Sequence, residues 1–139
     1  MFLMKIFVVN KEKNKMLAVY HKIADGWTYP GGHADGDDNL LEVAIREVYE
    51  ETGIKLDINK IQLIDTLSGK SRKNSYPNGD IVYNNTSLFL ATISLVDASN
   101  LKGDSETKRL HFFSLDSLPD NLMDKDLIQA YNEFCKKWR

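Results

Sequence analysis

Apolar and polar positions follow two periods along this chain. Residues 2–9 and 17–21 are short runs rich in branched and aromatic side chains, separated by the polar turn Asn10-Lys11-Glu12-Lys13-Asn14. That pattern predicts a β-hairpin. Residues 61–67 predict a further strand, 81–95 a long one and 109–115 another. Between the first two of these, a polar stretch ends at Tyr76-Pro77-Asn78-Gly79-Asp80, and Asn-Gly between strand patterns signals a hairpin. The polar segment 96–108 is expected to be a mobile loop.

The helical period appears twice. At about 100° per residue, Leu41, Ala44, Ile45, Val48 and Tyr49 fall on one apolar arc, predicting a helix over 40–52. Asn39 or Asp38 suits its start and Gly53 the left-handed residue that ends it. Upstream, Trp27-Thr28-Tyr29-Pro30 delivers the chain into Gly31-Gly32, which reads as a glycine-rich loop feeding the helix, with Pro30 holding Tyr29 extended. Leu127, Ile128, Tyr131, Phe134 and Cys135 repeat at helical spacing and predict a closing amphipathic helix over 125–137. Strands, helix, strands and helix imply an α/β fold.

The 139 residues predict one domain, 1–139, able to build a full core. A net charge of −2, without a dense basic patch, disfavours polymeric nucleic acid as a partner. The opening Met1-Phe2-Leu3-Met4-Lys5 has no long apolar core or cleavage site, so a soluble, non-exported protein with no membrane partner is expected. The only cysteine, Cys135, excludes an internal disulfide and agrees with a cytoplasmic location.

Candidate chemistry lies on the first helix. Glu47, Glu50 and Glu51 share an arc at i, i+3 and i+4, where like charges repel unless a cation joins them. Carboxylate oxygens, with a backbone carbonyl from the Gly-Gly turn, suit a hard divalent ion such as Mg²⁺ or Mn²⁺. A solvated acidic face is the alternative. Two other motifs fail on the same chain. Asp35, Asp37 and Asn39 imitate the start of a calcium loop, but Leu40 replaces its glycine and Arg46 its closing Glu. Ser68-Gly69-Lys70-Ser71 imitates a P-loop end, but Ile64 stands at the upstream glycine position.

The whole stretch resembles the Nudix hydrolase signature, G-x5-E-x7-R-E-U-x-E-E-x-G-U, where U is a bulky aliphatic residue. Gly32, Arg46, Glu47, Val48, Glu50, Glu51, Gly53 and Ile54 match, and only Asp38 departs, standing where the family has Glu. Trp-x-x-Pro-Gly-Gly is also common in relatives, and the later segments look like a bacterial subgroup labelled ADP-ribose pyrophosphatase-like. The resemblance implies an α/β/α sandwich with a mixed sheet.

It also implies roles. Glu50 and Glu51 would ligate the metal with the Gly31 carbonyl, and Glu47 would bind it through water or help to deprotonate the nucleophile. Arg46 is better read as an orienting ion-pair partner than as a base, since guanidinium keeps its proton. Asp38 is its expected partner, and Gly32, Asp38 and Gly53 are the structural positions of the box. Glu106, with Asp104 second, is the candidate for a further acid outside it. Trp27 is a candidate both for packing and for stacking on a base, and His33 both for touching phosphate and for a plain loop position. The implied activity is Mg²⁺-dependent cleavage of the pyrophosphate in a nucleoside diphosphate linked to another moiety, with ADP-ribose or sugar nucleotides leading. Hydrolysis of oxidised nucleoside triphosphates and a non-catalytic nucleotide-sensing domain are the alternatives. A small nucleotide is the expected partner, and a homodimer is left open.

Overall fold

The computed structural model describes residues 2–35, 39–68, 73–75, 77–83, 85–94 and 110–137. Asp38, Asp104 and Glu106 lie outside them, as do Asp37, Gly69, Lys70, Ser71, Tyr76 and the 96–108 segment.

The central strand is β1 (Phe2–Asn10). Its side chains alternate between two cores, as a strand buried on both faces requires. Met4, Ile6 and Val8 join one cluster, and Phe7 and Val9 join the other. β1 runs parallel to β8 (Asn85–Ile93) along its whole length, from Phe2 opposite Asn85 to Asn10 opposite Ile93. β5 (Ile61–Leu67) lies antiparallel on the far side of β8, with a register shift between Leu63 and Asp65.

On its other side β1 meets two partners. Near its end Val9 pairs with Met16 of β2 (Lys15–His21), closing the hairpin over 10–14. Its first half pairs with β4 (Gly31–Ala34), from Phe2 opposite Ala34 to Lys5 opposite Gly31. β2 in turn carries β3 (Gly26–Thr28) and β9 (Leu110–Ser114). The result is a seven-stranded mixed sheet.

Two helices cover it. α1 (Leu40–Thr52) places Val43, Ala44 and Val48 in the cluster with Met4, Ile6 and Val8. α2 (Lys125–Lys137) places Leu127, Ala130 and Tyr131 in the cluster with Phe7 and Val9. Helix, sheet and helix form the α/β/α layering that the resemblance implies. No helix among the described residues is long and apolar enough to cross a membrane.

Three expectations change. Gly31-Gly32 belongs to a strand rather than a loop, because the first half of β1 needs an antiparallel partner and takes this segment. The expected strand over 81–95 is two strands in two sheets. β7 (Ile81–Tyr83) pairs with β6 (Lys73–Ser75) across a turn in which Gly79 has φ +91°, and β8 starts afresh at Asn85. A run of apolar residues states that a strand forms but not which neighbour it joins. Finally, α1 is rotated relative to the expected arc. Tyr49 is 57% exposed, whereas Val43, Glu51 and Thr52 are buried.

Candidate active site

The start and end of α1 follow from local chemistry. Asn39, extended at φ −77°, accepts hydrogen bonds from the Leu41 and Glu42 amides at 3.0 and 3.2 Å, satisfying two donors that helix geometry leaves open. Gly53 adopts the left-handed conformation at φ 78° and donates to the Tyr49 carbonyl at 2.8 Å. The helix is thereby fixed to within a residue, and with it the direction in which its carboxylates point.

The rotation of α1 decides their environments. Glu47 and Glu51 lie one turn apart, on the side of the helix that faces β4. Glu51 is only 5% exposed, and its Oε1 accepts a hydrogen bond from the Gly31 amide at 3.1 Å. Glu47 lies against Gly32: a Cβ built there would come within 2.8 Å of the Glu47 Cδ. Glycine at position 32 is therefore a matter of space for the glutamate. At Gly31 the constraint is backbone, since an added Cβ would collide with the Met4 carbonyl oxygen.

Arg46 reaches Glu47 and Glu50, each at 3.9 Å, with its side chain 55% exposed. Exposed pairs at that distance are worth about 0–1 kcal/mol, so Arg46 biases the two carboxylates without locking them. Its expected partner Asp38 lies outside the described residues. The structure thus brings Gly31, Gly32, Glu47 and Glu51 together, and links Glu50 to them through Arg46. Among the described residues, no three acidic, histidine or cysteine side chains converge in a cluster that could hold an ion. The donor set nevertheless fits a hard divalent cation: its side-chain donors are carboxylate oxygens on adjacent turns, beside the backbone of β4.

His33 is exposed on β4, opposite Leu3 of β1. Trp27 is half-buried in a group of rings. Its centroid lies 5.3 Å from Tyr20, 4.9 Å from Phe113 and 6.3 Å from His111, each at a steep angle of the kind aromatic edges and faces favour. The packing role of Trp27 is therefore met within the protein. Between Trp27 and Gly31 stands Tyr29, fully buried, its hydroxyl donating to the Asp124 carbonyl at 3.2 Å. Burial, and then the charges of Asp124 and Asp126, hold its phenol well above its ordinary pKa.

One residue beside the site is missing from the sequence-derived set. Lys5 donates from Nζ to the Tyr29 carbonyl at 3.3 Å and lies 3.4 Å from the Thr28 hydroxyl. Its signal was available, as a lone charge inside the apolar run Phe2-Leu3-Met4-Lys5-Ile6-Phe7.

Comparison with known proteins bears on the family and the fold. The chain is 34% identical to the human protein "nucleoside diphosphate-linked moiety X motif 6" over 56 residues, 39% of this chain and 18% of that one. It therefore spans under a fifth of that relative's length. Among solved structures it is similar to a MutT Nudix hydrolase from Burkholderia pseudomallei, at 21% identity and a TM-score of 0.71, covering 94% of this chain and 95% of the other. It is also similar to the Nudix domain of Shewanella oneidensis NrtR in complex with ADP ribose, at 18% identity and a TM-score of 0.64, covering 96% and 86%. At these identities the structures speak for the fold. The NUDIX domain model matches residues 4–134, nearly the whole chain, and the chain belongs to the Nudix family.

Proposed function

We propose that this protein is a divalent-metal-dependent hydrolase that cleaves the pyrophosphate of nucleoside diphosphate-linked substrates, with ADP-ribose and sugar nucleotides as the leading class. The observation that carries the reading is the pairing of the buried Glu51 carboxylate with the Gly31 amide, beside Glu47 lodged over Gly32. It sets two box glutamates and the backbone of β4 at one place.

Glu51, Glu50 and the Gly31 carbonyl would hold Mg²⁺ or Mn²⁺, which supplies positive charge to the phosphate oxygens and lowers the pKa of a bound water. Glu47 is the least exposed of the glutamates paired with Arg46, its side chain 24% exposed, and it is the residue assigned to orienting water and accepting its proton. Arg46 steers Glu47 and Glu50 and keeps its own proton. Glu106, or Asp104 in its place, is assigned the further acid. His33, exposed beside Gly32, is assigned the phosphate oxygens, and Trp27 is assigned the base only as the second of its two roles, after packing. The relative named for nucleoside diphosphate-linked moieties, and the ADP ribose held by the NrtR domain, support the substrate class. The single half-buried Cys135 supports a cytoplasmic setting.

Purified protein with Mg²⁺ or Mn²⁺ should release a nucleoside monophosphate and a phosphorylated second product from ADP-ribose or a sugar nucleotide, and excess EDTA should stop it. Preferential turnover of oxidised nucleoside triphosphates would move the substrate class. Tight nucleotide binding with no hydrolysis of any member of the panel would replace the enzyme reading by a sensor.

A further inference from the structure

The chain crosses from β3 to β4 through Tyr29-Pro30-Gly31, and the polar backbone groups of that crossing are held from three sides. Pro30 has no N–H to place. The Tyr29 carbonyl accepts from Lys5 Nζ at 3.3 Å, the Pro30 carbonyl accepts from the Ile6 amide at 2.9 Å, and the Gly31 amide donates to Glu51 at 3.1 Å. Two of the three holders, Lys5 and Ile6, are consecutive residues of the central strand β1, and the third is the carboxylate assigned to the metal.

Lys5 is also matched to Gly31 sterically. The two are cross-strand partners. A Cβ on Gly31 would lie 3.0 Å from both Cα and Cδ of Lys5. The lysine stem thus runs over the space that glycine leaves open and brings the ammonium back to Tyr29 and Thr28. A long aliphatic stem covering backbone, with its charged end on carbonyl and hydroxyl oxygens, is what a lysine in an apolar strand can offer and an apolar residue cannot.

We propose that Lys5 is a positioning residue of the Nudix site: it clamps the Thr28–Gly31 crossing from the α2 side so that the Gly31 amide stays aimed at Glu51 on the α1 side. This rests on the assignment of Glu51 as a metal ligand only for its consequence in catalysis. The clamp itself concerns the Gly31 amide.

Lys5→Met, which keeps the stem and removes the ammonium, tests it in the whole protein. Exchange of the Gly31 amide proton, followed by NMR, should quicken about tenfold or more, the scale of one lost hydrogen bond, with α2 amides unchanged. Mn²⁺ affinity, measured by electron paramagnetic resonance, should weaken by about the same factor, and kcat should fall more than KM rises. Lys5→Arg, which restores a cation, should recover most of both. Unchanged Gly31 exchange and Mn²⁺ affinity in Lys5→Met would overturn the proposal. So would a rise in KM alone, which would make Lys5 a substrate contact. If Lys5→Met does not fold, Lys5→Leu, which likewise carries no donor, is read in the same way, and failure of both to fold would make Lys5 a core residue and overturn the proposal. A parent protein that binds no Mn²⁺ would refute the metal assignment, while the Gly31 exchange still decides the clamp.

Discussion

The Glu51 carboxylate accepts a hydrogen bond from the Gly31 amide across 20 residues of sequence, joining the last turn of α1 to the first residue of β4. The contact ties the first glycine of the Gly31-Gly32 pair to the last glutamate of the Nudix box, so a hydrogen bond within the protein fixes where that carboxylate stands relative to β4.

Glu51→Gln tests the division between charge and structure. A glutamine keeps an oxygen for the Gly31 amide and fills the same buried space, so the melting temperature should move by only a few degrees. It removes the charge proposed to hold the metal, and several kcal/mol of transition-state stabilisation correspond to a loss of turnover on the order of a thousandfold. Turnover equal to the parent's would refute the assignment of Glu51 to the metal.

Gly32→Ala probes the neighbouring glutamate from the backbone side. The new methyl would meet Glu47 Cδ at 2.8 Å and Cγ at 3.0 Å, so the side chain has to leave its place over the strand. Glu47 is partly exposed and can swing toward water, which keeps the stability cost to about 1 kcal/mol, within the ordinary range for a point change. The expected result is a tenfold or larger fall in kcat, roughly the cost of misplacing an acid–base group, with Mn²⁺ binding retained. Activity at the parent level would show that Glu47 is not needed where it lies.

Asn39→Ala addresses the other end of α1. Removing the side chain leaves the Leu41 and Glu42 amides without their cap, a loss of about 1 kcal/mol. In a chain of this size that lowers the melting temperature by roughly 3–6 °C. With Mg²⁺ at saturation, turnover should remain close to the parent's, since the glutamates sit two to three turns further along. An unchanged melting temperature would mean that the helix start is held by something other than Asn39.

Both helices are legible in the sequence because their signals are local. Asn39 and Gly53 mark the ends of α1, and the 3.6-residue repeat through Leu127 and Tyr131 marks α2. β5 is read in full for a similar reason, as a compact run between polar boundaries. What escaped depends on partners distant in sequence. Gly31-Gly32 carries loop chemistry and becomes a strand only because the first half of β1 lies beside it. The apolar run beginning at Ile81 divides because β7 serves a small hairpin while β8 pairs with the central strand. The helical period puts Glu51 on the acidic arc, but how deeply the rotation of α1 buries it depends on β4, which no periodicity reports. A single lysine such as Lys5 does not disturb a strand pattern, and its partners, Tyr29 and Gly31, are brought to it by the fold.

Tyr29 gives the protein a predictable alkaline limit. Its phenol is buried against Phe7, with ring centroids 4.7 Å apart, and faces the carboxylates of Asp124 and Asp126, so the phenolate is disfavoured twice and the folded-state pKa lies above the ordinary value. Below about pH 10 the phenol is protonated in both folded and unfolded chains, and its contribution to stability is fully present and independent of pH. Above that point the unfolded chain releases the proton while the folded chain keeps it. Stability attributable to Tyr29 therefore falls as pH rises, by about 1.4 kcal/mol per unit until the folded-state pKa is reached. Tyr29→Phe removes that dependence along with the hydrogen bond to the Asp124 carbonyl, which is worth about 1 kcal/mol. Urea unfolding of parent and variant near pH 8 and near pH 11 isolates the effect, because every contribution common to the two proteins cancels in the difference. The variant should be the less stable at the lower pH, and the gap should close or reverse at the higher one. A constant gap across that interval would mean that the Tyr29 phenol ionises as readily in the folded protein as in the unfolded chain, contrary to the burial and the charges that surround it.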